Sequence, residues 1–561
     1  MLFRRNKELF VVASLASIAA LSWCGTSGWI TQAQAQAPPS PAASNDGRTC
    51  MRLVGAAIPN TIIISAHIQP ANEPVDGTAD TSGFVQPTLV SGLPAFCRVI
   101  GRIRPEADSN INFEVWLPAS AWDRRFHAVG NGGYAGSINY AAMAAALKAG
   151  KATASTDTGH QDKPTGSGWV KGHPARAVDY GWRAIHLTAQ AAKTLIAAFY
   201  GEGPRHSYFM SCSNGGRQGL MEAYRFPADF DSILAGDASA VSSQTVMSMI
   251  WTVQAQLPPG AAIRPSQTGL IQQEVLRQCD ALDGQADGIV ADPGQCHFDA
   301  TKLACGSSKS PQCLSPPQIG ALRRIHAGPP RYRGKITGFG YPPSGTEVGY
   351  PNPGSGWEGW IFGGPDSPLN HRFSPTGALR DFPDKPYATI ETFDWKRDPG
   401  RLMAAADVDL NVRPDLRAFF RRGGKLIMFH GWGDPGNPPE ESITFYKDVL
   451  RYSGGHQPNA RLYMVPGMQH CTGGTGATEF GQYGARGVPL PGDAPDRHIG
   501  AALQAWVETG RRPEGIIATF PRPDAAEPAR ERLLCPFPSR AKLRQGANPD
   551  SADSYGCSSS H

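Results

Sequence analysis

The sequence predicts an α/β fold built on a mostly parallel sheet, and three observations lead to this prediction. Apolar runs with the pattern of strands alternate along the chain with helical segments. One of these strands runs directly into a turn of small residues, 211–215, that precedes a helix. Two later strands run into Gly-rich loops that carry Asp434 and His470. In such a loop a polar side chain can face the end of the sheet.

The elements follow one another in a regular order. Strands are recognised as short apolar runs, and helices by apolar residues that recur at helical spacing. In chain order we expect strands at 113–117 and 126–129, a helix at 182–200, a strand at 206–210, a helix from about Arg217, strands at 425–430 and 460–465, and a helix at 499–508. Strands that alternate with helices in this way are typical of a mostly parallel sheet.

Length and composition limit the possible architectures. The 561 residues allow several small domains or one large domain with an insertion. Hydrophobic residues (40%) and charged residues (18%) are present in the proportions of a globular protein. The 64 glycines and 49 prolines follow no strict period, which excludes collagen and favours long loops. Because the net charge is only +5 and no basic block is present, we expect no nucleic-acid partner.

The chain is predicted to be interrupted between roughly Val241 and Asn411. This stretch contains four cysteines, an Asp-rich loop and many prolines and glycines, unlike the segments on either side. We interpret it as an insertion, here called the lid (241–411), that covers the active end of the sheet. The sheet domain then consists of two parts, residues 38–240 and 412–561.

Residues 1–37 have the layout of a secretory signal peptide. Three basic residues precede an apolar run over 9–23, and small-x-small cleavage sites end at Ala35 and Ala37. The apolar run is shorter than the roughly 20 residues that a bilayer span requires. We therefore expect a periplasmic or secreted protein with no membrane partner after cleavage.

The candidate nucleophile is Ser213. It lies between a predicted strand and a predicted helix, in the sequence SCSNGG. A nucleophile elbow is a sharp, crowded turn that requires small residues two positions before and after the serine. Ser211 and Gly215 occupy these positions, so a serine replaces the usual first glycine. The start of the helix supplies the backbone N–H of Asn214, which we expect to form half of an oxyanion hole.

Asp434 and His470 are the candidate acid and base. They follow Ser213 in the order Ser…Asp…His that an α/β-hydrolase requires. His470 would take the proton of the serine, and Asp434 would hold the tautomer of the imidazole and stabilise its charged form. His430 lies at the end of a predicted strand, and we interpret it as a residue that shapes the Asp434 loop.

The other half of the oxyanion hole is predicted in an early loop. The sequence GNGGYAG, residues 130–136, directly follows the predicted strand at 126–129. In α/β-hydrolases an early loop after a strand donates one backbone N–H to the oxyanion. We expect Gly132 or Gly133 to be this donor.

Ten cysteines remain once Cys24, in the predicted signal peptide, is set aside. An even number in an exported chain indicates five disulfides. No C-x-x-C pair is present, which argues against a zinc ribbon. Proximity in the sequence suggests four pairs and leaves Cys212 and Cys471; the four are Cys50–Cys97, Cys279–Cys296, Cys305–Cys313 and Cys535–Cys557.

Several motifs together resemble the tannase and feruloyl esterase family, which includes the mono(2-hydroxyethyl) terephthalate hydrolases. They are SCSNGGRQG, KLIMFHGWGDPGNPP, GMQHC, GNGGYAG and STDTGH, and the similarity runs over about residues 50–557. Its most specific sign is one cysteine directly before the candidate nucleophile and another directly after the candidate histidine. The resemblance implies that these two, Cys212 and Cys471, are bonded. It also implies a serine esterase with an α/β-hydrolase fold and an inserted lid.

The resemblance further implies a structural calcium ion in the lid. The matching stretch is DALDGQADGI, which begins at Asp280. Three carboxylates within eight residues can wrap one hard cation with oxygen ligands. Without the resemblance, such a run would be interpreted as an acidic surface loop. The expected ligands are the side chains of Asp280, Asp283 and Asp287 and the backbone carbonyls of Gln285 and Ile289.

The lid also contains a dense aromatic stretch that bears on the substrate. Aromatic acyl groups such as feruloyl, galloyl or terephthaloyl would stack on some of these side chains, while the others pack the core of the lid. Three arginines, Arg372, Arg380 and Arg397, could meet a substrate carboxylate. The aromatic residues are Trp357, Trp360, Phe362, Phe373, Phe382, Tyr387, Phe393 and Trp395.

Alternatives to the favoured function stay open at this point. We favour a small aromatic ester of the feruloyl or hydroxycinnamoyl type as the substrate. Gallate esters, as for a tannase, and mono(2-hydroxyethyl) terephthalate are alternative substrates. In a cysteine hydrolase, Cys212 would be the nucleophile. That role needs a free thiolate, which an oxidising compartment disfavours because it promotes disulfide formation. The non-enzyme alternative is an inactive, calcium-stabilised binding module, against which the complete Ser–Asp–His set argues.

Overall fold

The structure is a computed structural model that describes residues 43–76, 89–162, 168–306, 312–362, 390–522 and 529–558. The expected signal peptide lies outside the described residues, as do five of the lid residues singled out above, Arg372, Phe373, Arg380, Phe382 and Tyr387.

The described strands are short and mostly buried. In chain order they are β1 (Thr61–Gln69), β2 (Val75–Asp76), β3 (Leu89–Val90), β4 (Phe96–Ile103), β5 (Ile111–Pro118), β6 (Arg125–Val129), β7 (Ala152–Thr156), β8 (His206–Cys212), β9 (Ser232–Gly236), β10 (Lys425–Gly431), β11 (Ala460–Val465), β12 (Ile516–Thr519), β13 (Glu531–Leu534), β14 (Arg540–Leu543) and β15 (Tyr555–Ser558).

The described helices connect these strands. They are α1 (Ala43–Arg52), α2 (Tyr140–Lys148), α3 (Pro174–Val178), α4 (Ala184–Tyr200), α5 (Asn214–Arg225), α6 (Ser242–Gln256), α7 (Thr268–Cys279), α8 (Pro316–Ala327), α9 (Trp357–Trp360), α10 (Asp398–Asp409), α11 (Arg417–Arg421), α12 (Pro439–Tyr452) and α13 (Ile499–Thr509). None of them, within the described ranges, combines the length and the apolar composition needed to cross a membrane.

A nine-stranded sheet forms the centre of the described structure. Its strand order is β1-β4-β5-β7-β6-β8-β9-β10-β11. The six strands from β7 to β11 in this order are parallel, whereas β1, β4 and β5 form an antiparallel edge next to β7. The predicted α/β fold with a mostly parallel sheet is confirmed. The antiparallel edge adds two strands, β1 and β4, that the sequence patterns do not predict.

The two faces of the sheet are buried under helices. Along β10, Leu426 and Met428 belong to the core on one face of the sheet, which also contains residues of α4, α5 and α12, while Ile427 and Phe429 belong to the core on the other face, with residues of α13. All four side chains are fully buried. A parallel strand that is buried on both faces requires such a continuous apolar run. Burial of each of these side chains contributes roughly 1.5–3 kcal/mol.

Between β9 and β10 the chain leaves the sheet and forms helices α6 to α10 in the described part of the lid. These helices have a hydrophobic core of their own, which includes the predicted aromatic residues Trp357 and Phe362. Phe393 packs in a neighbouring cluster with residues of α6. These aromatic side chains thus serve the packing of the lid. The lid boundaries, 241–411, stay a prediction.

Five disulfides join the cysteines of the described residues. They include the pair implied by the family resemblance, Cys212–Cys471, and the four pairs expected from proximity: Cys50–Cys97, Cys279–Cys296, Cys305–Cys313 and Cys535–Cys557. Because Cys212 is bonded, it has no free thiolate, and a cysteine nucleophile at this position is excluded.

Candidate active site

Ser213, His470 and Asp434 form one chain of hydrogen bonds. The Ser213 Oγ lies 2.9 Å from His470 Nε2, and His470 Nδ1 lies 2.7 Å from Asp434 Oδ2. With the proton on Nδ1, the imidazole donates to the carboxylate and accepts from the serine hydroxyl. This is the geometry in which a histidine can remove a proton from a serine.

Ser213 sits on a sharp turn at the end of β8. Its φ of 62° and ψ of −131° place it in a left-handed region that a side chain rarely adopts. A Cβ at Gly215 would lie 2.0 Å from the Ser211 Oγ, and one at Gly216 would lie 2.6 Å from the Gly236 carbonyl. The serine that replaces the usual first glycine is therefore accommodated because residue 215 has no side chain.

Helix α5 begins at Asn214, directly after the candidate nucleophile. The predicted start near Arg217 is wrong by three residues. The Gly-Gly pair lowers the helix propensity of the first turn, but the tight packing around Gly215 and Gly216 needs these glycines within the helix. The N–H of Asn214 therefore lies at the first helical position, where it has no partner within the helix.

The His470 loop is held from both sides. On one side, Cys471 is bonded to Cys212, next to the nucleophile. On the other side, the Gln469 amide donates to the carbonyls of Thr346 and Val348 in the lid, at 2.9 and 2.8 Å. Gln469 is fully buried. Its role was not predicted, although it lies in the GMQHC motif, because its partners are more than 100 residues away in the chain.

Asp434 lies in the loop after β10 and is buried. Its Oδ1 accepts hydrogen bonds from the backbone N–H groups of Gly436 and Asn437, at 2.7 and 2.9 Å. Burial opposes ionisation, but His470 and His430 outweigh it and lower the pKa of Asp434. Burial likewise opposes the charge on His470, and the Asp434 carboxylate outweighs it and raises the pKa of His470.

The predicted oxyanion residues lie beside the candidate nucleophile. Gly132, Gly133 and Asn214 line the same cavity as Ser213, and a Cβ at Gly132 would meet no atom within 4 Å. The Tyr180 hydroxyl lies 3.1 Å from both the Gly133 carbonyl and the Asn214 Oδ1. This hydroxyl links the early loop to the start of α5. The donor role of these glycines and of Asn214 stays a prediction.

Two buried side chains of α5 brace the surroundings of the nucleophile turn, Gln218 at the early loop and Arg217 at the start of α5, and neither role was predicted. Gln218 accepts from the Asn131 N–H at 3.2 Å and donates to the Asn131 Oδ1 at 2.7 Å. Arg217 donates to the Asn214 Oδ1 at 2.8 Å and to the Gly181 carbonyl at 2.8 Å. Both lie in the SCSNGGRQG motif, but only the folded structure brings Asn131 next to Gln218 and Gly181 next to Arg217.

The candidate triad opens into a cavity of about 860 Å³. The Trp360 ring lies 5.3 Å from the His470 ring, measured between centroids. Helices α6 and α10 of the lid supply an apolar wall, and loops of the lid and the sheet domain supply polar groups. Among the described residues, the apolar wall includes Val246, Met249, Leu402, Ala405 and Ala406, and the polar groups include Asn352, Ser355, Thr472 and Gln482.

Two residues considered as substrate contacts lie elsewhere. Arg397 is paired with its neighbour Asp398 at 2.7 Å and does not line the cavity. The Trp395 indole donates to the Gln254 Oε1 at 2.6 Å and packs against the cluster that contains Phe393. Among the predicted lid aromatics in the described residues, Trp360 is the one that lines the cavity.

The acidic loop of the lid has features that suit a hard cation. The Asp280 carboxylate closes the loop, since its Oδ1 accepts from the N–H groups of Asp287, Gly288 and Ile289 at 3.1–3.2 Å. Partial burial and the charges of Asp287 and Asp280 raise the pKa of Asp283. The Asp287 Oδ1 is buried without a hydrogen-bond partner. A cation would satisfy this oxygen and offset the repulsion between the carboxylates.

Other protein groups already neutralise or hydrogen-bond some of the oxygen atoms of this loop. The Asp287 Oδ2 is paired with Arg532 at 2.6 Å, and the Gln285 side chain accepts from the Tyr555 hydroxyl at 3.0 Å. Among the described residues, the three loop carboxylates do not form a cluster with ligand atoms all within 4.8 Å of one another. Backbone carbonyls such as those of Gln285 and Ile289 would be needed to complete a calcium shell.

Comparison with known proteins identifies the family. The family model described as "Tannase and feruloyl esterase" matches residues 97–558. The chain belongs to the tannase and feruloyl esterase family. An uncharacterized esterase of Xanthomonas campestris is 35% identical to it over 543 residues, 91% of each chain. A probable feruloyl esterase B-2 of Aspergillus flavus is 34% identical, over 75% of this chain and 80% of that one.

Two further comparisons extend this picture. The mono(2-hydroxyethyl) terephthalate hydrolase of Piscinibacter sakaiensis is 30% identical, over 83% of this chain and 85% of that protein. The crystal structure of an esterase from Aspergillus oryzae superposes with a TM-score of 0.81 at 26% identity, over 91% of this chain and all of that one. The chain is therefore a carboxylic ester hydrolase of the tannase and feruloyl esterase family with an α/β-hydrolase fold.

Proposed function

We propose that this esterase hydrolyses esters of aromatic carboxylic acids, with feruloyl and other hydroxycinnamoyl esters preferred. The observation that carries the proposal is the hydrogen-bonded chain Ser213–His470–Asp434, which opens into a cavity with a largely apolar lid wall. A cavity of about 860 Å³ lies within the usual range for small-molecule sites. The apolar wall and Trp360 suit a planar aromatic acyl group better than a sugar or a charged chain.

The reaction would proceed through an acyl-enzyme. His470 removes the Ser213 proton as the serine oxygen attacks the ester carbonyl, and Asp434 stabilises the resulting imidazolium. The N–H groups of Asn214 and of Gly132 or Gly133 hold the negative oxygen of the tetrahedral intermediate. His470 then gives its proton to the departing alcohol. Water repeats the sequence, which releases the acid and restores the serine.

A substrate panel tests the acyl preference. We expect kcat/KM for methyl ferulate to exceed that for methyl gallate and for mono(2-hydroxyethyl) terephthalate, because a hydroxycinnamoyl group extends furthest along the apolar wall. Ten-fold discrimination corresponds to about 1.4 kcal/mol of transition-state binding. Methyl acetate is the matched control without an aromatic ring, and it should be hydrolysed with the lowest kcat/KM. If kcat/KM is higher for methyl gallate or for mono(2-hydroxyethyl) terephthalate than for methyl ferulate, that ester is the preferred substrate and the feruloyl preference is wrong.

The lid is proposed to hold a structural calcium ion at the 280–289 loop. The donor set described above supports this proposal: three carboxylates, one of them with a buried oxygen that has no hydrogen-bond partner, and two backbone carbonyls. The side chains of Asp280, Asp283 and Asp287 would hold the ion, which would supply positive charge and cross-link the loop. The loop does not line the catalytic cavity, so the ion is proposed to stabilise the lid and to take no part in the reaction.

Removal of calcium should lower the melting temperature of the protein. An ion that binds only the folded state, at 100 times its Kd, stabilises it by about 2.7 kcal/mol. We expect a chelator to lower Tm, calcium to restore it, and Asp283→Asn to abolish the response. Asp299→Asn, which removes an exposed helix-capping aspartate elsewhere in the lid, is the matched control and should keep the response. The proposal fails if the purified protein contains no calcium and the chelator leaves Tm unchanged.

Export is proposed on two grounds. Residues 1–37 have the layout of a signal peptide, and the described residues contain five disulfides, which form and persist in oxidising compartments. N-terminal sequencing of the mature protein from the producing cell should begin near Gln36 or Pro38.

A further inference from the structure

Two imidazoles converge on one oxygen of the Asp434 carboxylate. The His470 Nδ1 lies 2.7 Å from Asp434 Oδ2, and the His430 Nε2 lies 3.2 Å from the same oxygen. The other oxygen, Oδ1, accepts from two backbone N–H groups. Every lone-pair direction of this carboxylate therefore has a donor nearby, and one of the donors is a second histidine that the Ser–His–Asp set does not include.

His430 is held rigidly at the end of β10. Its Nδ1 lies 2.7 Å from the Ser442 Oγ of α12, and its Nε2 also lies 3.0 Å from the Asn437 carbonyl. The ring has no exposed surface. With its proton on Nε2, the ring donates toward both the Asn437 carbonyl and the Asp434 carboxylate. A ring fixed in this way limits the rotation of the Asp434 side chain.

A second buried carboxylate faces the same ring. The Asp237 Oδ1 lies 3.7 Å from His430 Nε2 and accepts from the Gly431 N–H at 3.0 Å. Asp237 follows β9, so it approaches from the neighbouring strand, and its side chain is fully buried. Two carboxylates and two imidazoles thus share one pocket, and of these four side chains His470 alone keeps some exposed surface, because it faces the cavity. Ionised carboxylates buried this deeply need a positive partner.

The charges around this pocket favour a protonated His430. Burial lowers the pKa of His430, but Asp237 and then Asp434 outweigh it and raise the pKa to about 9. The carboxyl of Glu441 on α12 also faces the pocket; burial raises its pKa to about 7, and it accepts from the Thr245 hydroxyl at 2.6 Å. Burial raises the pKa of Asp237, while the charge of His430 acts in the opposite direction and favours the ionised carboxylate.

We propose that His430, with Asp237 as its counter-ion, is a positioning residue that orients the Asp434 carboxylate and limits the basicity of His470. The inference rests on the proposed function, because it assigns His470 the role of the base. A cation on the far side of Asp434 disfavours a second cation at His470. His470 then loses its proton at a lower pH than it would if Asp434 were hydrogen-bonded to His470 and not also to His430. His430 touches neither the substrate nor the serine and acts only through Asp434.

Two substitutions separate the charge of His430 from its hydrogen bond. In His430→Gln an amide N–H can still donate to Asp434, but the positive charge is lost; in His430→Leu both are lost. We expect the acid limb of the kcat/KM profile, which reports the free base, to move up by about half a pH unit or more in both variants. In His430→Leu we also expect kcat to fall by about ten-fold or more, with KM changed by less than about three-fold, because Asp434 is no longer oriented.

A distant histidine provides the matched control. His186 is paired with Asp229 at 2.6 Å on the outer side of α4, and it does not line the cavity. His186→Gln should change Tm at most and leave the acid limb in place. A folded His430→Gln protein, judged by its circular dichroism, with a wild-type acid limb would overturn the inference. If Ser213→Ala also retains activity, the proposed function itself has failed. If Ser213→Ala is inactive, the proposed function stands and only the role assigned to His430 is wrong.

A measurement on the intact chain covers the case in which the variants do not fold. Nitrogen-15 NMR of the histidine-labelled protein distinguishes charged from neutral rings. The spectrum of the control variant His186→Gln lacks one signal, which is thereby assigned to His186 and set aside. We expect one buried histidine to keep both ring nitrogens protonated through the whole acid limb, while the signal of the base titrates. If every buried histidine is neutral over that range, His430 carries no charge and the inference is wrong.

Discussion

Replacement of Ser213 by alanine should lower kcat by about 10⁴-fold or more while the protein remains folded. In the proposed mechanism the Ser213 oxygen forms the acyl-enzyme, and in the structure this oxygen lies 2.9 Å from His470 Nε2. Without that oxygen, the histidine and aspartate have no proton to transfer. The oxyanion donors alone support a residual rate that is small compared with the rate of the enzyme with its complete triad. Turnover of methyl ferulate and of p-nitrophenyl acetate measures the loss.

A neighbouring serine gives this experiment its control. Ser211 lies two residues earlier, on β8, and its side chain packs against Gly215. Ser211→Gly restores the small residue usual at this position of a nucleophile elbow, and we expect activity within about ten-fold of wild type. Retention of a tenth of the wild-type kcat in Ser213→Ala would contradict the assignment of the nucleophile.

The sequence was sufficient to predict the strands that lead into the candidate site. Strand β10 is buried on both faces, so its apolar run is continuous and easily recognised. The polar loops after β8, β10 and β11 stand out because each interrupts such a run with glycine and one ionisable or nucleophilic side chain. Since parallel strands end at the same edge, the three loops meet there, and the order along the chain was enough to predict the set Ser213, Asp434 and His470.

The antiparallel edge of the sheet was less predictable. Strand β1 has exposed residues such as Ile62 and Ile64 on its outer face, together with buried ones such as Ile63 and Ala66. This edge strand pairs with β4 across a bulge between Ile63 and Ser65, which breaks the alternation that identifies a half-buried strand. Local patterns carry little information about pairing of this kind.

The residues that support the candidate site were missed for a different reason. Gln469, Gln218 and Arg217 are polar and fully buried, and each is satisfied by partners from distant parts of the chain. In the sequence they look like ordinary polar residues of a loop or a helix. Their function depends on which carbonyls and amides the fold brings to them. Only the folded structure supplies that information, even where the residues lie within recognised motifs.

The disulfide Cys212–Cys471 connects the candidate nucleophile with the candidate base. Its cysteines directly precede Ser213 and directly follow His470, their Cα atoms lie 6.0 Å apart, and 259 positions separate them in the chain. Both cysteines are buried. Closure of a loop of this length is worth about 5–6 kcal/mol in the chain-entropy model, which is an upper bound. The bond therefore has two separable consequences, one for the stability of the fold and one for the geometry of the site.

Replacement of both Cys212 and Cys471 by alanine should lower kcat even at temperatures where the protein stays folded. Proton transfer needs the serine oxygen and the histidine nitrogen within about 2.6–3.2 Å, and a shift of about 1 Å can cost about 100-fold in rate. The lid contacts of Gln469 hold the His470 loop from one side only, so loss of the bond frees the other side. Serine at both positions should not restore kcat, because the missing element is the covalent constraint.

The double alanine variant of Cys305 and Cys313 is the appropriate comparison. That bond closes a loop of only 8 positions in the lid, and neither cysteine lines the catalytic cavity. Its loss should lower Tm and leave kcat unchanged at low temperature, whereas the loss of Cys212–Cys471 should lower both. Peptide mapping of the unreduced protein should yield a linked fragment that contains Ser213 and His470. The contrary result would be a double variant of Cys212 and Cys471 with the wild-type kcat at low temperature. The backbone and the Gln469 contacts would then be sufficient to keep Ser213 and His470 within hydrogen-bonding distance, and the disulfide would contribute to stability only.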